Sequence, residues 1–505
     1  MKKLITSKQQ DPIIDLYQQQ MKEAAEKPWL ASLMLQRAKR LFERFAMYYK
    51  QLANLSRQTQ HRLQKKLSLS LAGVALLLAL SHAPRVHAST ISVDGVTCTL
   101  NEAIQSANTD TAVGGCTAGS GSDILDLQNS IVLSVDTTQV YSIITIEGNG
   151  YTIDGNDNHI FPITSGGQLT INEATLTGSS KSRGGAIHND RSMVTLNYST
   201  VSGNSAVLAG GGIYSYDGTV TLNHSTINGN LVSHSSVGDG GGISIYEGTL
   251  MLNNSTVSGN SANDEGGGIY IRNGALTLNN STVSGNTAYN GGGIYSYSVY
   301  ANPVTLNNST VSGNYASNDG GGIYAYYGMI TLNRSVISGN NAANNGDEIY
   351  DKSGHLTGNN YNVIGYDGLA RTYGFTPTTA PYGTDVIPAG PLNTVLEGLA
   401  DNDGPTLTHA LADVSPAIDL ILTSNNACDP GVSTDQRGAV RADGVNRGGS
   451  DCDAGAFEYA SDQTPTAVTL ESLSASTTTP TGVAVLTGLL ASLGVGGLLR
   501  RRRAQ

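Results

Sequence analysis

From about Ile171 to Tyr366 the chain writes one short motif again and again, and this repetition constrains the fold more than any other feature. The clearest copy runs Ala275-Leu-Thr-Leu-Asn-Asn-Ser-Thr-Val-Ser-Gly-Asn286 and is followed by Gly291-Gly-Gly-Ile-Tyr-Ser-Tyr297. The glycine of Ser-Gly-Asn, or of its diverged copies, recurs at Gly178, Gly203, Gly229, Gly259, Gly285, Gly313, Gly339 and Gly365, at intervals of 25, 26, 30, 26, 28, 26 and 26 residues. A fixed period in this range marks a solenoid, in which each repeat buries its apolar face only against its neighbours. Apolar residues alternate with polar ones and show no helical spacing. Leu276 and Leu278 point one way and Ala275 and Thr277 the other. Val283 lies on a second run, and Ile294 and Ser296 alternate with Tyr295 and Tyr297 on a third. Three short strands and their corners use about 26 residues, which is one coil of a parallel β-helix whose coils stack at ~4.8 Å.

Stacking accounts for the repeated residues. Leu196, Leu222, Leu252, Leu278, Leu306 and Leu332 form one inward column, and Val201, Ile227, Val257, Val283, Val311 and Ile337 another. Asn197, Asn223, Asn253, Asn279, Asn307 and Asn333 fall at a corner, where amides can hydrogen-bond from coil to coil. The two longer intervals place insertions at 231–239 and 298–303.

Charge is unevenly placed. Of 29 Lys/Arg and 40 Asp/Glu, 15 and 5 fall in residues 1–88, and four arginines stand at 500–503. The remaining 10 basic and 35 acidic residues give 89–499 a formal net charge of −25. So acidic a body argues against nucleic acid or an anionic membrane surface as its partner.

The flanks read as export and anchoring segments. Residues 1–88 are basic and helical, then apolar over Leu67–Leu80, and end in Val86-His87-Ala88. This is an extended signal peptide with cleavage between Ala88 and Ser89. Residues 89–135 form an N-terminal cap, in which Leu100, Ala103, Ile104 and Ala107 share one helix face and Cys98 and Cys116 are expected to pair. The coils occupy 136–370. A second compact unit, 371–460, is expected to close the solenoid, with a Cys428–Cys452 disulfide and a charged cluster of Asp435, Arg437, Arg441 and Asp453 that reads as a structural ion-pair network. A Thr/Ser-rich linker covers 461–481. The tail, 482–505, holds an 18-residue apolar run, long enough to span a bilayer, before its arginine cluster.

Three stretches resemble known families. Cys98-Thr-Leu-Asn-Glu-Ala-Ile-Gln-Ser-Ala-Asn108 resembles the CSLREA N-terminal domain of bacterial surface proteins, with Thr99 and Asn101 departing from its Ser and Arg. The Ser-Gly-Asn and Gly-Gly-Gly-Ile pairs resemble the polymorphic outer-membrane protein repeat, with Val or Ile in place of its usual Phe. Pro416-Ala-Ile-Asp419, Thr434-Asp-Gln-Arg-Gly438 and Cys452-Asp-Ala-Gly-Ala-Phe-Glu458 resemble the choice-of-anchor C-terminal domain. The C-terminal tail resembles the tripartite sorting tails of Gram-negative bacteria, which a membrane protease of the exosortase or a related type processes. These resemblances imply a single-stranded, right-handed parallel β-helix of about eight coils, displayed at the cell envelope. They imply no single activity.

No catalytic constellation emerges. Asp217, Asp239, Glu247, Asp264, Glu265 and Asp319 are scattered along the coils, although Asp239, Glu265 and Asp319 each precede a Gly-Gly-Gly turn and so share an edge. Asp154 and Asp157 are weak calcium candidates, and their Asp-Gly-Asn context is equally ordinary turn chemistry. Calcium is the one cofactor the pattern admits. The histidines show no metal-ligand spacing. Tyr214, Tyr270, Tyr295 and Tyr324 each follow an inward Ile and are expected to line up, exposed, as one ligand-binding column; Tyr350 continues it. Tyr216, Tyr246, Tyr297 and Tyr326 form a second column, interrupted by Arg272. Such ladders stabilise a sheet on their own, and they also suit sugars or a protein partner. The sequence therefore reads as an exported, envelope-anchored adhesin or structural interaction protein, facing an extracellular polysaccharide or surface protein. A polysaccharide lyase or hydrolase on the same fold is the runner-up, and a passive surface or matrix component the third reading.

Overall fold

The computed structural model describes residues 89–459 apart from 165, 235–236, 301, 354, 359, 370, 374–383, 422–433 and 442–450. The expected leader with Ala88, the linker and the apolar tail lie outside the described residues, as does Cys428. Among the described residues no helix is long and apolar enough to cross a membrane.

Alternation along each strand puts every second side chain inside, and the chain winds these strands into three parallel sheets. Both expected inward columns are essentially inaccessible to solvent, from Leu196 to Leu332 and from Val201 to Ile337. The second sheet has ten strands, from Ile131–Val132 to Val363–Ile364, and the third has seven, from Ser180–Arg183 to Asn341–Ala342. The second sheet exceeds the eight glycine repeats because its first two strands, Ile131–Val132 and Thr152–Asp154, precede the first Ser-Gly-Asn-like turn. In three coils two expected runs join into single strands: Ile213–Asn223, Ile243–Asn253 and Ile269–Asn279. Each bends at a left-handed residue, Asp217, Glu247 or Asn273, followed by glycine.

Three polar ladders run along the stack. The expected corner ladder forms: Asn279 Nδ2 donates to Asn253 Oδ1 at 2.9 Å, and Asn307 to Asn279 at 2.9 Å. It begins on a carboxylate, because Asn172 donates to Glu147 at 2.8 Å. A second ladder, of the Ser-Gly-Asn asparagines, is fully buried and runs the other way. Asn260 Nδ2 donates to Asn286 Oδ1, Asn286 to Asn314 and Asn314 to Asn340 at 2.8–2.9 Å. It ends on Glu348, which stands where earlier coils have a glycine and accepts from Gly339 N, Asn340 N and Asn340 Nδ2. A serine ladder (Ser281 N to Ser309 Oγ, Ser309 N to Ser335 Oγ) passes to Asn362 and finishes on Asp385. Each ladder thus has a carboxyl group at its accepting end, which satisfies the amide donors left over when repetition stops.

At the N-terminus Thr90–Val93 pairs with Ser122–Leu127, which pairs with Ile143–Glu147, so stacking begins well before residue 136. The helix Leu100–Thr109 starts at a capping box between Thr99 and Glu102 and buries the four predicted apolar residues. Cys98 and Cys116 are disulfide-bonded. Cys452 is disulfide-bonded as well.

Of the unit expected to close the solenoid, only the first part continues the stack at its end, through Thr372–Tyr373 and the rung of Asp385 and Val386; the rest lies elsewhere. After Asp385 and Val386 extend the stack by one rung, the chain turns back and lies along the outer Thr/Ser face of the second sheet. Gln436 Nε2 donates to Thr256 Oγ1 at 2.7 Å and its Oε1 accepts from Thr282 Oγ1 at 2.7 Å. His409 Nε2 meets Ser284 Oγ at 2.8 Å, and Ala456 N donates to Thr310 Oγ1. Val336 and Val363 replace the polar residues of earlier coils and pack on Leu396, Leu411 and Phe457. The charged cluster holds this unit together: Asp435 pairs with Arg437 at 2.7 Å, Arg441 pairs with Glu458 at 3.0 Å, and Asp453 accepts from the Asp419 and Tyr459 amides.

Candidate binding face

The first sheet presents the tyrosines. Parallel register places Tyr270 beside Tyr295, Tyr295 beside Tyr324 and Tyr324 beside Tyr350. The rings stack with centroids 5.6, 4.8 and 4.8 Å apart. They point away from the core, as the alternation requires, but they are not the exposed column expected. Tyr270, Tyr295, Tyr324 and Tyr350 are only 4–8 % accessible, and Tyr214 is 8 % accessible. Rings spaced by one coil cover each other's faces, so the ladder is a second apolar layer outside the core. The column extends to His188, whose ring lies 5.1 Å from that of Tyr214. Burial lowers the pKa of His188 and takes that of His159 beside it down to about 4. Ser244 interrupts the column between Tyr214 and Tyr270, and Tyr246 tilts into the gap, 5.7 and 5.5 Å from the two rings.

The second column is the accessible one. Its register is Tyr216, Tyr246, Arg272, Tyr297 and Tyr326. Tyr216 is 42 % accessible, while Tyr246, Tyr297 and Tyr326 are half-buried. The interruption by Arg272 is itself a contact: its guanidinium lies 5.8 Å from the Tyr246 ring and 5.6 Å from that of Tyr297, in cation–π range. Lys352 lies 4.5 Å over Tyr326.

The acidic edge borders these rings. The residues before the glycine turns stack, so that Asp239 and Glu265 occupy adjacent coils; Asn290 separates Glu265 from Asp319. Tyr246 donates its hydroxyl to Asp239 Oδ2 at 2.8 Å, and Tyr295 hydrogen-bonds Glu265. Burial, only partly offset by these bonds, raises Asp239 to about 6 and Glu265 to about 7. Burial also raises Tyr246, Tyr270 and Tyr295, so their hydroxyls stay protonated donors. Glycine is required at these turns: a Cβ on Gly267 would collide with the Thr287 and Gly292 carbonyls of the next coil.

Elsewhere, Asp154 Oδ1 accepts from Asn156 N at 2.8 Å, closing the turn that also holds Asp157. Neither belongs to a group of three or more metal-binding side chains among the described residues. Sequence reasoning missed the buried ladder of Asn204, Asn230, Asn260, Asn286, Asn314 and Asn340, although these recur with the same period as the glycine before them. It also missed Gln436, which no repeat marks.

Residues 184–363 match the family model described as the right handed beta helix region. With the coiled parallel sheets, this match makes the described body a right-handed parallel β-helix. No curated protein and no solved structure matches the chain.

Proposed function

We propose that this protein is exported, held at the cell envelope by its C-terminal tail, and uses the tyrosine face of its β-helix to bind an extracellular glycan. One observation carries the binding reading: a half-exposed row of Tyr246, Arg272, Tyr297, Tyr326 and Lys352 rests on a rigid, buried layer of rings. Side chains immobilised before a ligand arrives lose little entropy on binding, and tyrosine offers sugars an apolar ring with a polar tip. Export is supported by the signal-like leader and by cysteines that form disulfides. The resemblances to CSLREA, polymorphic outer-membrane and choice-of-anchor domains fit envelope display, and the tail suits a sorting protease.

A second reading has one observation in its favour. Asp239 and Glu265 are neighbouring carboxyls raised to about 6 and 7, the range a general acid of a glycosidase needs. Tyr246 closes over Asp239, which is buried, and this favours binding over turnover. Incubating the full-length protein with a polysaccharide panel, and measuring both retention and product length, separates the readings. Retention without shortening, weakened roughly tenfold or more by Tyr297→Ala plus Tyr326→Ala, is expected. Shortened products that disappear in Glu265→Gln would replace binding with hydrolysis.

A further inference from the structure

The cations of this acidic body are distributed in a way that narrows the ligand class, given the glycan reading above. Among the described residues, Lys181, Arg191, Arg371, Arg437 and Arg441 are engaged in ion pairs. Arg334 hydrogen-bonds Asn308 at the edge of the C-terminal unit. The three others are Arg183, Arg272 and Lys352. All three are exposed, and all three lie over tyrosines of the one face: Arg183 is 5.7 Å from the Tyr214 ring, Arg272 flanks Tyr246 and Tyr297, and Lys352 covers Tyr326. Among the described residues of this body of net charge −25, Arg183, Arg272 and Lys352 therefore gather on the aromatic face.

Their spacing along the solenoid axis is regular. Arg183 pairs in register with Ala209, Ala209 with Asp239, and Asp239 lies beside Glu265, in the coil that carries Arg272. Three further coils, through Asn290, Asp319 and Asn345, lead to the coil of Lys352. Arg272 and Lys352 stand in one register column three coils, about 14 Å, apart; Arg183 lies three coils before Arg272 along the axis but at the glycine-turn edge, in register with Glu265. A small anion cannot bridge such a distance; an extended polymer lying along the axis can, with its rings on the tyrosines between the cations.

The geometry points to an acidic, carboxylate-bearing polysaccharide as the ligand of the tyrosine face, with Arg183, Arg272 and Lys352 as its anion contacts. Single-stranded nucleic acid also stacks on aromatic rings, but it carries a charge on every nucleotide and calls for a continuous basic groove. Three cations in a negatively charged body do not provide one. The carboxyls facing Arg272 are those of buried Asp239 and half-buried Glu265, both against tyrosines and both raised toward neutrality, so they neutralise it only in part.

The test compares polygalacturonate oligomers with the same oligomers after reduction of their carboxyls, using the full-length protein at low and at 0.5 M-scale salt, where screening is roughly fivefold shorter in range than at 0.02 M. The charged polymer is expected to bind at least about tenfold tighter than the reduced one, and salt should remove most of the difference. Arg183→Gln, Arg272→Gln and Lys352→Gln together should bring the charged polymer down to the affinity of the reduced one. Arg272→Lys with Lys352→Arg should retain the preference, which excludes misfolding as the cause of a loss. Equal binding of both polymers, unaffected by the triple variant, overturns the acidic class and leaves the glycan reading standing. Binding of neither polymer overturns both. An oligodeoxynucleotide that binds as tightly as the charged oligomer also overturns the assignment, because the face would then be a general polyanion site.

Discussion

The Thr/Ser face of the second sheet and the tyrosine face of the first obey the same alternation, yet they end differently. Thr256, Thr282, Ser284 and Thr310 are buried because the chain's own C-terminal unit lies on them and uses their hydroxyls. The corresponding Thr200 and Thr226 of earlier coils stay partly open. Among the described residues, nothing covers the tyrosines in this way. Their inner column is buried by its own rings, and the outer column, with its cations, is left open. Outward-facing residues of a solenoid therefore become interior or surface according to what reaches them.

The comparison breaks most severely at Gln436. Gln436→Ala leaves the Thr282 hydroxyl without its buried acceptor, and an unsatisfied buried group costs about 1–3 kcal/mol. The C-terminal unit should then open before the coils do. Proteolysis releasing a fragment near residues 391–459, ahead of thermal unfolding monitored on the β signal, checks this. A single coincident transition would mean that the unit and the coils are one cooperative body.

Tyr295→Ala should follow, destabilising by roughly 3 kcal/mol, as a buried ring lost from a packed stack does. The same change at half-exposed Tyr326 should cost well under half as much. Thermal melts of the two variants give the ratio; equal costs would show that the inner column is no more a core than the outer one.

Glu348 gives a pH signature. Burial raises its pKa to about 8 against an ordinary 4.5. The folded state therefore holds a proton that the unfolded chain releases, and stability falls as pH rises from about 4.5 to about 8. Glu348→Gln keeps an acceptor for Asn340 and should flatten that part of the melting-temperature profile. An unchanged slope would put the titration elsewhere, with Asp239 and Glu265 the next groups to replace because their window, up to about 6 and 7, overlaps it.

The smallest effect on stability should be at the cations. Lys352→Gln removes an exposed charge held only by a ring, and should change stability by no more than about 0.5 kcal/mol while weakening retention of an acidic glycan.

Much of this architecture was written in the repeat. The two inward columns, the Asn197-type ladder and both tyrosine registers follow from residues one coil apart, because stacking pairs each residue with its own counterpart 25–30 positions on. The helix at Leu100 announced itself by its apolar face. Exposure was not legible in the same way. Alternation says which way Tyr270 points; only the packing of rings from successive coils says that it is covered.

The sequence alone determined the period, the coil, the inward and outward sets and the uneven charge, since each rests on local alternation or nearest-neighbour stacking. The tertiary structure alone decided where the chain goes after the last coil. Gln436 meets Thr256 across 180 residues, and His409 meets Ser284 across 125. No periodicity links such positions, so only the folded chain shows that one polar face is occupied from within.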